Sequence, residues 1–293
     1  MDASWAIKGA EAAAALIEVD GVYNQDILLF AGSNPFVYRV SLGKLSVGKH
    51  EIVAKLNSIR SAPNAKQVLI LSVRPVVTQH TAQVSPDDWL AITNSPVSSK
   101  TKLDRSLFSD IPIVMYYEVF HPNKEDVIVR YTTIFTNEDG GTPSAALMAR
   151  WGRASDIEWV YEFRARNGEI VEENYQAVSH ETKPFKGRRI NGDHAVLGVA
   201  SDNNNFSDEL ESPIRFALLP VRANSDHATR ETIMDLNPWS YRIVTEELVR
   251  EGKIKTTPSD SNTIADPREY VYVDLHARQS KYRHQLRTDG TKP

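Results

Sequence analysis

Hydrophobic and polar positions alternate along much of the chain, and alternation with a period of two predicts β-strands. Between residues 20 and 75, short β-rich runs are separated by Gly, Asn, Pro and Ser. These runs are DILLFAGS, FVYRVSLGKL, HEIVAKLNSI and KQVLILSVRP. Several strands at roughly ten-residue spacing are typical of a small antiparallel sandwich. We therefore expect residues 1–75 to form a small β-module.

A second β-rich block follows residues 76–110, which are rich in Ser, Thr, Asn, Pro and Asp and predict a linker or wrapping segment. Seven candidate strands make up this block: IPIVMYYEVFH, DVIVRYTTIFTN, SAALMARWGR, DIEWVYEFRA, EIVEENYQAVS, HAVLGVAS and PIRFALLPVRA. The Asn-Gly pair in ARNGEI predicts a tight hairpin turn. One helix is predicted from Ser240 to Glu251 and stops at Gly252, and REYVYVDLHA predicts a final strand.

The predicted fold class is all-β, with a small N-terminal sandwich and a larger antiparallel β-sandwich that carries one or two short helices. The predicted domains are residues 1–75, the linker 76–110 and a main domain over 111–293. The N-terminal block is similar to the immunoglobulin-like accessory modules common on extracellular bacterial proteins. At 293 residues, two domains are the usual expectation.

Composition narrows the classes of function. The chain has no cysteine, which excludes disulfides and cysteine-ligated zinc, and its net charge of −4 gives no basis for nucleic-acid binding. The chain contains no run of about 18 apolar residues, so no transmembrane segment is predicted. No phosphate loop, dinucleotide fingerprint or serine-hydrolase elbow occurs, so no nucleotide cofactor is expected. The opening residues lack the pattern of a signal peptide, and we expect a mature extracellular or periplasmic chain whose leader was removed.

The stretch MARWGRASDIEWVYEF (148–163) holds the first candidate site. In a strand, Ile157, Trp159, Tyr161 and Phe163 share one face, which we expect to belong to the core. Asp156 and Glu158 lie on the other face, about 6.6 Å apart by strand rise. This polar face is either an exposed surface paired with Arg150 and Arg153, or the rim of a catalytic or metal site.

Further polar groups follow downstream. The segment SHETKPFKGRRINGDH supplies His180 and His194, and imidazoles serve as metal ligands and as acid–base groups. The segment SDNNNFSDELE clusters oxygen-bearing side chains, including Asp202 and Asp208, as calcium prefers, although such residues also form ordinary turns. In YYEVFH, Tyr117 is a candidate for packing, sugar stacking or proton transfer. The loop FTNEDGGTP (135–143) predicts a hairpin connection.

The succession GRASDIEW, VSHE and DHAVLGVASDNNNF resembles the Vps62-related family and the necrosis-inducing, NLP-type secreted proteins. The positions that match are Gly152, the acidic pair Asp156 and Glu158, and the histidines His180 and His194. Arg153 and Ser155 depart from this pattern, because the family carries two histidines in that segment. The resemblance spans about residues 110–215 and implies a divalent cation that binds sugar headgroups of a target membrane.

The preferred function is an extracytoplasmic enzyme that acts on a carbohydrate polymer, either a lyase or a hydrolase of an acidic glycan. In a lyase, Arg150 or Arg153 would stabilise the intermediate while His180 or Tyr117 takes the proton. In a hydrolase, Asp156 and Glu158 would be the acid and the base. The alternative is a non-catalytic, metal-dependent binder of glycan or glycolipid. The expected cofactor is a divalent metal, most plausibly calcium, and its predicted ligands are Asp156, Glu158, His194, Asp202 and Asp208.

Overall fold

The computed structural model describes residues 2–4, 12–62, 67–76, 84–100, 110–138, 140–223 and 230–271. Within these ranges the strands are β1 Asp2–Ser4, β2 Ala14–Val19, β3 Val22–Leu28, β4 Phe36–Val37, β5 Ile52–Leu56, β6 Leu69–Ser72, β7 Val97–Lys100, β8 Pro112–Phe120, β9 Asp126–Phe135, β10 Ile157–Arg166, β11 Glu169–Gln176, β12 Thr182–Pro184, β13 Arg189–Ile190, β14 His194–Val199, β15 Phe206–Ser207, β16 Ile214–Phe216 and β17 Val221–Arg222. The helices in the same ranges are α1 Pro86–Thr93, α2 Ser144–Trp151, α3 Thr232–Leu236 and α4 Trp239–Arg250.

The N-terminal part consists of two three-stranded sheets, ordered β3-β2-β5 and β4-β1-β6. Alternate residues of β2 and β3 point into a shared core that includes Ile17, Ile27, Leu29 and Tyr38. This small two-sheet arrangement agrees with the predicted β-module, and its likeness to immunoglobulin modules stays a prediction.

The main part is a β-sandwich. A six-stranded sheet, β12-β11-β10-β9-β8-β17, faces a five-strand sheet formed by β13-β14-β7-β16 with β15 paired to β14. Tyr131, Tyr161 and Phe163 of the first sheet share a buried cluster with Leu197 and Val199 of the second. The far face of the six-stranded sheet is covered by helices α2, α3 and α4, whose apolar side chains form another cluster with Ile134 and Ile157. The all-β fold class is thereby confirmed.

Helix α2 corrects the prediction that SAALMARWGR is a strand. Its run of Ala, Leu and Met has the highest intrinsic helix propensity, and the strand interpretation gave that preference no weight. The helix ends at Gly152, which adopts left-handed φ of 67° and closes the last turn through its N–H to the Met148 carbonyl at 2.9 Å. Four short helices are therefore present in the described ranges, where one or two were predicted.

The structure contains two further predicted elements, a helix and a hairpin turn. The helix predicted over Ser240 to Glu251 is confirmed as α4. The hairpin turn is confirmed between β10 and β11, where Asn167 and Gly168 have φ of 52° and 82°. Of the predicted linker 76–110, the described part contributes α1 and β7, and β7 lies inside the second sheet. The predicted domain boundaries stay a prediction. Most of the final predicted strand lies beyond residue 271, outside the described residues.

Candidate functional site

The candidate site lies where several strand ends meet at one end of the sandwich. Strands β9 and β10 are antiparallel, and the N–H of Phe135 donates to the Asp156 carbonyl at 2.9 Å. This pairing brings Glu138, just past the end of β9, beside Asp156 at the start of β10. Gln176 ends β11, and the turn after β14 adds Asn203 and Asn204. Residues distant in sequence are therefore gathered by strand register.

Three carboxyl groups are crowded at this point. Asp156, Glu158 and Glu138 are only 2%, 8% and 9% exposed. The carboxyls of Glu138 and Asp156 are hydrogen-bonded to each other. Asn204 donates its amide N–H groups to Asp156 Oδ2 at 3.0 Å and to Asp110 Oδ1 at 2.7 Å. Among the described residues, no guanidinium or ammonium group forms an ion pair with Asp156, whose neighbours are acids and an amide.

The proximity of these buried carboxyls changes their pKa values. Burial, followed by the charges of Glu158 and Glu138, raises the pKa of the Asp156 carboxyl well above its usual value. Burial and the Glu158 charge also raise the pKa of Glu138, while the Gly140 N–H at 3.1 Å and the bond from Asp156 oppose that rise. A hydrogen bond between two carboxyls requires one proton. The raised pKa of Asp156 favours its protonated form, which can donate to the Glu138 carboxylate.

A β-bulge explains why both acids of β10 are buried. The register shifts between Trp159 and Tyr161, which pair with Thr132 and Tyr131, so Val160 is the extra residue. Ile157 consequently packs under the helices, whereas Tyr161 and Phe163 pack between the two sheets. The prediction of one continuous apolar face from Ile157 to Phe163 is wrong for this reason. The alternative of an exposed acidic face paired with Arg150 and Arg153 is wrong as well.

His180 stands at the solvent side of the carboxyls, with 57% of its side chain exposed. Its Nδ1 lies 2.8 Å from Gln176 Nε2 and 3.6 Å from Glu158 Oε2, and its Nε2 lies 3.0 Å from the Asn203 amide. Gln176 also donates to Glu158 Oε2. The structure thus brings together Asp156, Glu158 and His180, the three residues singled out most strongly in the sequence.

Backbone strain is concentrated around the same carboxyls. Seven non-glycine residues in the described part have left-handed φ, and four of them lie here: Asp110 (52°), Ser179 (63°), His180 (59°) and Asn204 (47°). Each such residue costs on the order of 1–2 kcal/mol for an L-amino acid. Strained residues of this kind cluster at functional sites.

Tyr117 and Arg150, two of the other predicted catalytic residues, lie apart from this cluster. Tyr117 packs between the sheets and donates to Asp88 Oδ1 at 2.6 Å. Burial raises the pKa of the Tyr117 phenol. Arg150 lies in the last turn of α2 with its guanidinium 5.8 Å from the ring centre of Trp151.

Arg153, the last of the predicted catalytic residues, borders the cluster. Its charge lowers the pKa of Glu138. Its guanidinium is engaged by Glu231 at 2.9 Å and by the Ser155 carbonyl.

Only some of the predicted metal ligands belong to this cluster. Asp156 and Glu158 are together, but His194 opens β14 at the far end of the strand, about 17 Å from its last residue by strand rise. The His194 ring contacts the Ser95 carbonyl at 2.6 Å, and burial lowers its pKa. Asp208 accepts from Tyr175 and from the Lys186 N–H, and Asp202 is exposed on a tight turn closed between Ala200 and Asn205. Within the described ranges, no group of three or more such side chains is arranged to hold a metal ion.

The floor of the site connects it to helix α4. The N–H of Asp110 donates to Glu247 Oε1 at 2.7 Å, and Lys100 donates to the Asp110 carbonyl. Burial raises the pKa of Glu247 to about 7. A second layer of buried polar groups therefore supports Asp110 and, through Asn204, Asp156.

Glu138, Gln176 and Asp110 were not among the predicted site residues, whereas Asn204 lies in the segment SDNNNFSDELE that was considered as a calcium loop. Glu138 belongs to the loop interpreted as a hairpin connection. One feature of the sequence, the pairing of two strands, could have identified it. If the strands ending in FTN and beginning with DIEW are antiparallel neighbours, the residues just beyond the first lie beside the start of the second.

Comparison with protein-family models, with curated proteins and with solved structures found no match to this chain. The resemblance to the Vps62-related and NLP-type proteins therefore stays a prediction. No helix in the described ranges has the length and apolar character needed to cross a membrane.

Proposed function

We propose that the protein is an extracytoplasmic polysaccharide hydrolase whose acid and base are carboxyl groups of this cluster. The observation that carries the proposal is the meeting of two buried carboxyls, Asp156 and Glu138, with a further carboxyl, Glu158, beside His180. Glycoside hydrolysis requires one carboxylic acid to protonate the leaving oxygen and one carboxylate to act as base or nucleophile.

The solvent exposure of the carboxyls suggests which of them acts as the acid and which as the base. Asp156 is nearly inaccessible, whereas Glu138 lies at the edge of the cluster beside Gly140. Asp156 would pass its proton to Glu138 as Glu138 protonates the leaving oxygen, and the proton that Glu158 takes from the attacking water would later restore the pair. Glu158, held by Gln176 and adjacent to His180, would serve as the base.

The lyase alternative has weaker support. It needs a guanidinium near the reacting sugar and a phenol or imidazole to take the proton. Tyr117 and Arg150 lie outside the cluster, and Arg153 is engaged by Glu231. Because these arginines were also the basis for an acidic glycan, we keep the proposed substrate to the wider class of polysaccharides.

The test is the release of new reducing ends from a panel of plant, algal and bacterial polysaccharides. On a responsive polymer we expect Glu158→Gln and Glu138→Gln to lower turnover on the order of 10²–10⁴-fold. Glu162→Gln is the matched control, because Glu162 lies on the same strand but pairs with Arg130 near the surface. Absence of products across the panel, or equal turnover in Glu158→Gln and wild type, would overturn the proposal.

One observation favours the second candidate, a cation-dependent glycan or glycolipid binder: Glu158 and Glu138 place like charges beside the buried Asp156 carboxyl. The residues in the described part of the chain form no ready cation site, so no step of the proposal uses a metal. A ligand that binds only the native state raises the melting temperature. A rise with calcium, reversed by chelator and without any glycan product, would favour the binder over the hydrolase.

A further inference from the structure

The side-chain amide of Gln176, the last residue of β11, lies between Glu158 and His180. It is 1% exposed. Its Nε2 donates to Glu158 Oε2 and also lies 2.8 Å from Nδ1 of His180. One nitrogen therefore contacts both groups that the proposed reaction uses.

The orientation of this amide follows from the carboxylate. An ionised carboxylate only accepts hydrogen bonds, so the NH2 side of Gln176 must face Glu158. Turning the amide would place two oxygens against each other in a buried position. The second N–H of the same NH2 group then meets His180 Nδ1, which must accept it.

A neutral imidazole has one N–H and one accepting nitrogen. Since Nδ1 accepts from Gln176, the proton of His180 resides on Nε2. Nε2 faces the Asn203 amide at 3.0 Å through the atom assigned as nitrogen. Amide nitrogen and oxygen are distinguished only by their hydrogen bonds. Asn203 Oδ1 and Glu138 Oε1 both lie beside Gly140. Turning the Asn203 amide therefore presents its oxygen to Nε2–H and its NH2 group to the Glu138 side.

We propose that Gln176 is a positioning residue that holds His180 in its Nε2–H tautomer, so that His180 presents a hydrogen-bond donor at the rim. Under the proposed function, on which this catalytic meaning rests, Glu158 is then the base and His180 a donor to the substrate. This assignment differs from the role of proton acceptor that the sequence suggested for His180.

Removal of the Gln176 amide should reverse the tautomer. Glu158 Oε2 lies 3.6 Å from Nδ1, too far for a good hydrogen bond while Gln176 occupies the space between them. Without that amide, the nearby carboxylate attracts the ring proton to Nδ1. The Nδ1–H form should then be the major tautomer.

The experiment uses long-range ¹H–¹⁵N correlation spectra of the full chain, which separate protonated from unprotonated ring nitrogens. The spectra are recorded at a pH where the imidazole is neutral, and His180 is assigned by its loss in His180→Gln. Wild type should show Nε2–H, and Gln176→Met, of similar length but without donors, should show mainly Nδ1–H. Asn174→Ala, on the same strand with its amide on Glu172, should match wild type.

An Nδ1–H signal in wild type would overturn the proposal, as would an unchanged Nε2–H signal in Gln176→Met. If Gln176→Met does not fold, Asn203→Asp replaces it. That variant keeps an acceptor at Nε2, so Nε2–H should persist, and a change to Nδ1–H would contradict the assignment.

Because the spectra need no substrate, this test is separate from that of the proposed function. An Nε2–H tautomer in a protein without glycan turnover would support Gln176's role and overturn the hydrolase. On a cleaved polymer, Gln176→Met should lower kcat on the order of 10²-fold with little change in KM. A change in KM alone would count against a positioning role.

Discussion

At Asp156, the neighbours determine the charge of the side chain. Burial and the charges of Glu158 and Glu138 disfavour the ionised form, and the hydrogen bond to Glu138 requires a proton. A carboxylic acid that donates to one group and accepts from Asn204 has the hydrogen-bonding pattern of an amide. An asparagine at this position can therefore keep the hydrogen bonds of Asp156 but cannot supply its acidic proton.

We predict that Asp156→Asn stabilises the protein near pH 8, while it removes turnover. The sign follows from the raised pKa: the proton favours the folded state at low pH, and that contribution is lost as pH rises. Asparagine has no such loss. Urea unfolding measures the change.

Asp126→Asn is the control for this variant. Bonds to Arg166 and Asn123 lower the pKa of Asp126, so its replacement should lower stability. A loss of stability in Asp156→Asn as well would show that the Asp156 carboxyl is ionised in the folded protein.

Ser179 offers a second test at the residue scale. Its φ of 63° and the φ of 59° at His180 place two successive non-glycine residues in the left-handed region. Ser179→Gly should relieve strain at some cost in chain entropy, with a net gain of about 0.5–1 kcal/mol. Ser179→Val should instead lose stability, because a β-branched residue is poorly accommodated there. Equal melting temperatures for both variants would contradict stored strain.

At the scale of elements, helix α4 carries a buried acid into the floor of the site. Glu247 Oε1 accepts the Asp110 N–H, and burial raises the pKa of Glu247 to about 7 from 4.5. A raised carboxyl pKa adds stability that is complete below pH 4.5 and is lost as pH rises to about 7. Glu247 should therefore contribute to the pH dependence of folding, together with Asp156 and Glu138, whose pKa values are also raised.

We predict that Glu247 contributes a loss of up to about 3 kcal/mol of stability between these two pH values, and that Glu247→Gln makes the decline shallower by that contribution. Urea unfolding across the pH series measures both slopes. Glu246→Gln is the control, since Glu246 pairs with Arg242 on the helix surface and should leave the slope intact. Equal slopes in Glu247→Gln and wild type would contradict the assignment.

Elements with strong local signals were predictable from the sequence. Apolar spacing and Gly252 predicted α4, and Asn167–Gly168 predicted the hairpin. The strand interpretation of α2 failed because it weighed apolar character over the helix propensity of Ala145 to Ala149. The bulge at Val160 has no local sequence signal, since it arises from pairing with β9.

Only part of the site could be predicted from the sequence, for the same reason. Asp156, Glu158 and His180 were found from residue type and order. Gln176 and Glu138 belong to it only through the pairing of strands, which brings positions far apart in sequence together. His194 shared the residue type but opens β14 at the far end of that strand, and residue type alone could not show this.

At the scale of the molecule, the N-terminal sheets are hydrogen-bonded to the main sandwich. The Ala217 N–H donates to Gln25 Oε1 at 3.0 Å, and the Ser41 N–H donates to the Ala217 carbonyl at 2.8 Å. Phe30 stacks on Trp239 of α4 with ring centres 5.7 Å apart. Buried polar and aromatic contacts of this kind couple two parts of a chain in folding.

We predict one calorimetric unfolding transition that includes both parts. Gln25→Ala, which leaves the buried Ala217 N–H without its acceptor, should lower stability by about 1–3 kcal/mol. Lys55→Ala, at the exposed pair with Glu18, should change little. Two resolved transitions in wild type would show that the parts unfold independently.

The most direct test of the central claim, a shared proton at the heart of the cluster, is a carbon-detected NMR titration of the Asp156 carboxyl, assigned by its loss in Asp156→Asn. The carboxyl should remain protonated through the pH range in which ordinary aspartates ionise and up to neutral pH. Ionisation near the usual aspartate pKa of about 3.9 would contradict the acid pair and the acid–base site built on it.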